Sequence, residues 1–167
     1  MKRCALSVVL WLFASSAFGQ QESPVEGVWQ VAAWVFPSTS PAENGRTVTS
    51  PQPGLVIFTK GFFSQLVVRG EQARVAVAPP QIPQNLTDAE KIALYEHWRP
   101  VTANGGTYEV KGSTLILHAM VAKNLAVSAQ ETPVELTFKL DGPNTLWLIP
   151  SPQAAAREPQ TKYIRLE

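Results

Sequence analysis

Apolar and polar side chains alternate with a period near two along most of this chain, and glycine, proline, asparagine and aspartate interrupt the alternation at short intervals. The pattern predicts strands over residues 27–36, 54–59, 62–69, 105–110, 114–122, 134–140, 145–150 and 161–166. Three breaks are short enough for hairpins: Lys60-Gly61, Lys111-Gly112-Ser113 and Asp141-Gly142-Pro143-Asn144. Each carries a glycine suited to the positive φ of a tight reversal. Local hairpins favour a meander over a Greek key, and eight strands suffice to close a small up-and-down barrel. The predicted fold is therefore all-β, an eight-stranded antiparallel barrel.

Two segments break the rhythm. Residues 37–53 hold Pro37, Pro41, Pro51 and Pro53 among Ser, Thr, Asn and Gly, which predicts a long surface loop placed like a lid over a barrel mouth. Further on, after Pro79, Pro80 and Pro83, Thr87-Asp88-Ala89-Glu90 reads as a capping box that starts a helix. The helix runs to about Arg99 and stops before Pro100. Ile92, Leu94, Tyr95 and Trp98 give it an apolar side, and Asp88, Glu90, Lys91 and Glu96 a polar one. It is expected to pack against the barrel wall or to close one end.

The start of the chain follows a different pattern. Lys2 and Arg3 precede an apolar run from Ala5 to Ala14, and Ala17-Phe18-Gly19 supplies small residues at cleavage positions. Residues 1–19 read as a cleaved signal peptide, so residues 20–167 are expected to form one exported domain, periplasmic or secreted. The apolar run falls short of the roughly 20 residues needed to span a bilayer, so no stable membrane insertion is expected. Removing Lys2 and Arg3 from the 14 basic side chains leaves them one short of the 13 acidic ones, too even a balance to steer nucleic acid. Cys4, the single cysteine, lies inside the leader and too far upstream of the cleavage positions to be lipidated. The mature domain thus has no disulfide, thiolate metal site or cysteine nucleophile, and packing must hold it together.

The ends of the domain carry a more specific signal. Gly27-Val28-Trp29 opens the first predicted strand, and Arg165 lies in the last. In a closed antiparallel barrel those strands are neighbours, so the glycine lets the backbone turn, the indole plugs one end, and the guanidinium stacks on it. This arrangement resembles the lipocalin and calycin signature, and the mature chain is similar to the bacterial lipocalin-like domain family. The similarity continues through residues 54–66, the helix with Thr87, Glu90 and Lys91, Gly106-Thr107-Tyr108-Glu109-Val110, and the strand with His118 followed by Asn124. It departs from the family where Ser151 to Pro159 lengthens the last connection, and where Lys123-Asn124-Leu125 stands in place of Pro-Asn-Trp. The resemblance implies a barrel with a small-molecule pocket.

Candidate site residues follow from the strands. Gly27, Trp29 and Arg165 read as a structural clamp. His118, flanked by apolar residues on both faces, reads as a polar handle inside the cavity or a general acid or base facing Tyr108 or Glu109. The favoured reading is a histidine satisfied by a backbone carbonyl at the barrel edge. Tyr108, Gln65 and Asn124 are the other polar candidates for an inward role, with Phe58, Phe63, Leu66, Ile116, Met120, Leu136, Phe138 and Trp147 as apolar lining. A slip of one residue in register would turn the polar set to solvent. The only two histidines, His97 and His118, lack metal-ligand spacing, and neither a catalytic triad nor a cofactor motif is present. The readings that remain are a carrier of a small hydrophobic molecule, a cofactor-free isomerase or cyclase using His118 or Glu109, and an interaction module presenting Trp34, Phe36 or Trp98. Oligomeric state is left open.

Overall fold

The computed structural model describes residues 23–38, 45–74, 85–129, 132–155 and 158–167. The expected leader, residues 39–44 of the first long loop, and Pro79, Pro80 and Pro83 lie outside the described residues. The strands are β1 (Gly27–Val35), β2 (Thr47–Val48), β3 (Gly54–Thr59), β4 (Phe62–Val68), β5 (Val101–Lys111), β6 (Thr114–Ala122), β7 (Val134–Leu140), β8 (Thr145–Pro150) and β9 (Gln160–Arg165). Helix α1 (Asp88–Trp98) lies between β4 and β5, and two single-turn helices, α2 (Leu125–Ser128) and α3 (Pro152–Ala155), follow β6 and β8. Among the described residues no helix is long and apolar enough to cross a membrane.

Every strand is antiparallel to its neighbour in the order β1-β3-β4-β5-β6-β7-β8-β9, and β9 pairs back onto β1. Eight strands therefore close a barrel by sequential connections, as the hairpin spacing predicts. The short β2 is an addition: it pairs with the end of β1 at Trp34 and Val35, beyond the stretch that β3 covers. The fifth strand also starts earlier than expected. Val101 to Asn104 pair with Val68 to Gln65, and the Gly105-Gly106 step holds a bulge in the β5–β6 ladder rather than ending the strand. A side chain at Gly106 would overlap the His118 carbonyl, so the bulge requires a glycine there.

One side-chain contact seals the end of the closing β1–β9 ladder. Arg165 is the register partner of Trp29, and its guanidinium lies 4.1 Å from the centroid of the indole ring. The same guanidinium donates to the carbonyls of Glu26 (2.6 Å) and Pro143 (2.8 Å), while the indole N–H donates to the Val25 carbonyl (2.8 Å). Gly27 has φ +136°, and a Cβ at this position would overlap Arg165 and the Glu167 carbonyl. Trp29 is fully buried and packs with Val25, Phe58, Tyr108, Leu115 and Leu146 to fill that end of the barrel.

The helix departs from expectation. Its capping box forms, with the Glu90 amide donating to the Thr87 hydroxyl and the Thr87 amide donating to the Glu90 carboxylate. No residue of α1 is buried, however, and Ile92, Tyr95 and Trp98 are all more than half exposed. Apolar residues three apart rotate back by about 60° per step on a helix of 3.6 residues per turn, so this trio makes a drifting stripe rather than a face that can seat on a sheet. The helix is instead held by its end: the Lys123 ammonium donates to the carbonyls of Trp98, Arg99 and Val101.

These contacts yield a contrast between two glycines. Gly27→Ala is expected to cost about 2 to 3 kcal/mol in urea unfolding, from overlap and a disfavoured φ. Gly105→Ala, whose added methyl meets only ordinary contacts, should stay within about 0.5 kcal/mol. Equal losses at the two positions would contradict the closure described.

Candidate ligand-binding site in the barrel

The alternation of each strand sends one set of side chains inward. At the sealed end these are large and apolar: Trp29, Phe58, Leu115 and Leu146 leave no room, and the Tyr108 ring packs edge-on to Phe58 at 5.1 Å. Burial raises the Tyr108 phenol above its ordinary pKa, and the contact with the Ser23 hydroxyl opposes this. Both hydroxyls are buried, and their contact falls short of hydrogen-bond geometry. Tyr108 belongs to the floor.

Toward the other end the inward side chains stand around an opening, and a cavity of about 700 Å³ opens to solvent. That volume lies within the range of roughly 300 to 1,000 Å³ typical of small-molecule sites. One wall, from β1, β2, β3 and β8, is apolar, with Trp34, Val48, Val56 and Leu148. Polar groups are interspersed among the apolar ones on other strands. Gln65 and Asn104 are direct register partners on β4 and β5, Thr102 pairs with Val67, and Thr161 and Tyr163 come from β9. Tyr163 reaches Gln65 across the two strands between β9 and β4. Its phenol is pushed up to about 12 by burial, with the hydrogen bonds of Gln65 and Thr161 and the charge of Arg69 opposing. The hydroxyl is neutral at any physiological pH.

Charges gather at the mouth. Arg69, just past β4, pairs with Glu158 ahead of β9 at 2.6 Å, and Glu71 pairs with Arg46 ahead of β2 at 2.8 Å. Gln52 holds the intervening backbone: its amide N–H donates to the Gly70 carbonyl (3.1 Å) and its side chain to the Glu71 carbonyl (2.9 Å). Both ion pairs are about half exposed, so each contributes at most about 1 kcal/mol. They orient the rim without locking it.

A next-neighbour antiparallel barrel, closed by its first and last strands, plugged by a stacked tryptophan and arginine and open opposite the plug, decides the architecture. The fold is lipocalin-like. Among solved structures, a lipocalin-like protein from Bacteroides uniformis is similar at 14% identity and a TM-score of 0.46, over 86% of this chain and 100% of that one. No protein-family model and no curated protein matches the chain.

The lipocalin-like barrel separates the sequence-derived candidates. Phe58, Phe63 and Gln65 line the cavity, and Tyr108 lies beneath it. His118, Met120 and Trp147 do not point inward. On β6 the inward residues are Leu117 and Ala119, so His118 projects outward, where its Nε2 stands 3.5 Å from Glu109 Oε1 on the exposed surface. A hydrogen bond from Lys111, and its charge, hold the Glu109 carboxyl below its ordinary range, with a smaller contribution from His118. Met120 is 67% exposed, and Trp147 lies outside the barrel beneath the Lys162 ammonium, 5.8 Å from the ring centroid. Leu66 is likewise exposed. Asn124 accepts from the Ala126 amide at 3.1 Å and caps α2, so its role is local.

The cavity residues missed from sequence are Asn104, Thr102, Thr161 and Tyr163. Strict alternation back from Tyr108 through the bulge, and within Thr161-Lys162-Tyr163, carried their signal. Among the described residues no three metal-ligating side chains converge.

The buried phenol makes stability fall at high pH. An unfolded tyrosine ionises near pH 10, whereas folded Tyr163 keeps its proton to about 12. The unfolded chain releases this proton first, so the Tyr163 contribution is whole below pH 10 and is lost as pH rises from about 10 to about 12. In parallel urea series, wild type should lose about 1 to 3 kcal/mol relative to Tyr163→Phe over that interval. A constant difference between the two proteins would contradict the burial.

Proposed function

We propose that this chain is an exported lipocalin-like protein that holds a small, largely apolar molecule in the open half of its barrel. The observation that carries the reading is the cavity of about 700 Å³ standing over a sealed floor, its largely apolar lining interrupted by a few neutral polar side chains. Apolar area removed from water supplies the affinity, about 25 cal/mol for each Å² buried, and the few polar groups set orientation. Export is supported by the basic start, apolar run and small residues of positions 1–19.

The enzyme alternative loses its support because His118 and Glu109 meet on the outer surface, away from the cavity. An acid or base has to reach the proton it moves. The interaction-module alternative named Trp34, Phe36 and Trp98, and two of these three line the cavity.

Side-chain parity supplies the test. Diphenylhexatriene, a hydrocarbon dye that fluoresces when buried, is expected to bind the mature protein. Ala119→Trp fills the cavity and should weaken binding at least about tenfold, or about 1.4 kcal/mol. Met120→Trp, one position along and outward, should bind as wild type does. Equal binding by all three proteins would overturn the reading.

A further inference from the structure

The reading of the cavity as a binding site leaves the chemistry of its occupant open, and the height at which each polar group stands narrows it. Charged groups stand at the mouth, where Arg69 and Glu71 are already engaged by Glu158 and Arg46. Below them the polar lining consists of amides and hydroxyls. Gln65 and Thr161 both stand close to the Tyr163 hydroxyl. Asn104 differs from both. It stands beside Gln65 in register and lines the cavity, and its side chain makes no hydrogen bond among the described residues. One carbonyl and one NH₂ group are therefore offered to the interior.

Resting on that reading, we propose that the cavity selects an uncharged amphiphile, an alcohol, ketone, aldehyde or amide, whose polar end lies on the Asn104 side chain while its apolar body lies against Trp34, Val56 and Leu148. Three asymmetries support the choice. A carboxylate or ammonium at the depth of Asn104 would lose its hydration, while the nearest guanidinium, Arg69, is already paired with Glu158 at the mouth. A charged end kept at the mouth would have to break an ion pair already formed there, and would leave Asn104 unpaired. A pure hydrocarbon would cover the Asn104 amide without replacing the water it loses. An end that both donates and accepts, such as a hydroxyl, matches both halves of the amide.

Displacement of diphenylhexatriene from the mature protein by decan-1-ol, decanoate and decylamine tests this, because the three competitors share a chain length and differ in the end group. Decan-1-ol is expected to compete at least about tenfold more tightly than either ion. Asn104→Leu should weaken decan-1-ol about fivefold while leaving the hydrocarbon dye bound as in wild type, which also shows that the variant is folded. Tightest binding by decanoate or decylamine overturns the proposal, as does an Asn104→Leu protein that binds decan-1-ol as wild type does. A dye that binds with no ranking among competitors removes the ligand class and leaves the cavity reading standing. A dye that fails to bind wild type removes both.

Discussion

The stack of the Arg165 guanidinium on the Trp29 indole is the contact on which the rest of the structure depends. It stands at the end of the ladder that joins the first long strand to the last, along which a sheet that would otherwise expose two edges has none. It also decides which end is solid. With the indole fully buried and the guanidinium donating to the Glu26 and Pro143 carbonyls, three stretches of chain far apart in sequence are drawn over one mouth. The opposite mouth has no such plug. Space for a ligand exists there because the aromatic side chains at that end, Trp34, Phe36, Phe63 and Tyr163, stand around the opening instead of filling it.

Charge follows the same axis as packing. The floor is apolar, the middle of the cavity holds neutral amides and hydroxyls, and the guanidinium and carboxylate groups occupy the rim. Each level is the one at which those groups cost least, since an ion pair at the rim keeps much of its hydration and a neutral amide at depth needs only a partner. Tyr163 connects the levels. Its ring is buried in the cavity lining, and its hydroxyl lies near Gln65 of a nonadjacent strand.

The architecture was legible in the sequence because the closing pair and the hairpin glycines are local or terminal signals. Gly27, Trp29 and Arg165 could be assigned from residue type alone, since a barrel must join its ends. The lining was only partly legible. β3 reads cleanly, with Val56 and Phe58 alternating with less buried neighbours, and the inward calls at Phe58 and Phe63 follow from it. β6 does not: Leu115-Ile116-Leu117-His118-Ala119-Met120 is apolar on both faces, so parity gave no reason to turn His118 and Met120 outward. Trp147 misled for a similar reason, because an indole covered by the Lys162 side chain is as stable outside a barrel as within it. Asn104 and Thr102 were missed because the predicted strand started only at Gly105, whereas β5 runs back to Val101 and the ladder bulges at Met120 opposite the Gly105-Gly106 step. The exposed side of α1 was misread because three apolar residues look like a face until their angular drift is counted.

The central claim is that the open half of this barrel holds a small molecule. Native mass spectrometry of the protein, purified gently from the cells that make it, tests that claim most directly. A mass above that of the bare chain by one small-molecule equivalent, lost on denaturation and recovered in the extract as an uncharged amphiphile, is the result the structure leads us to expect. A bare chain mass under conditions that preserve other noncovalent complexes would contradict it.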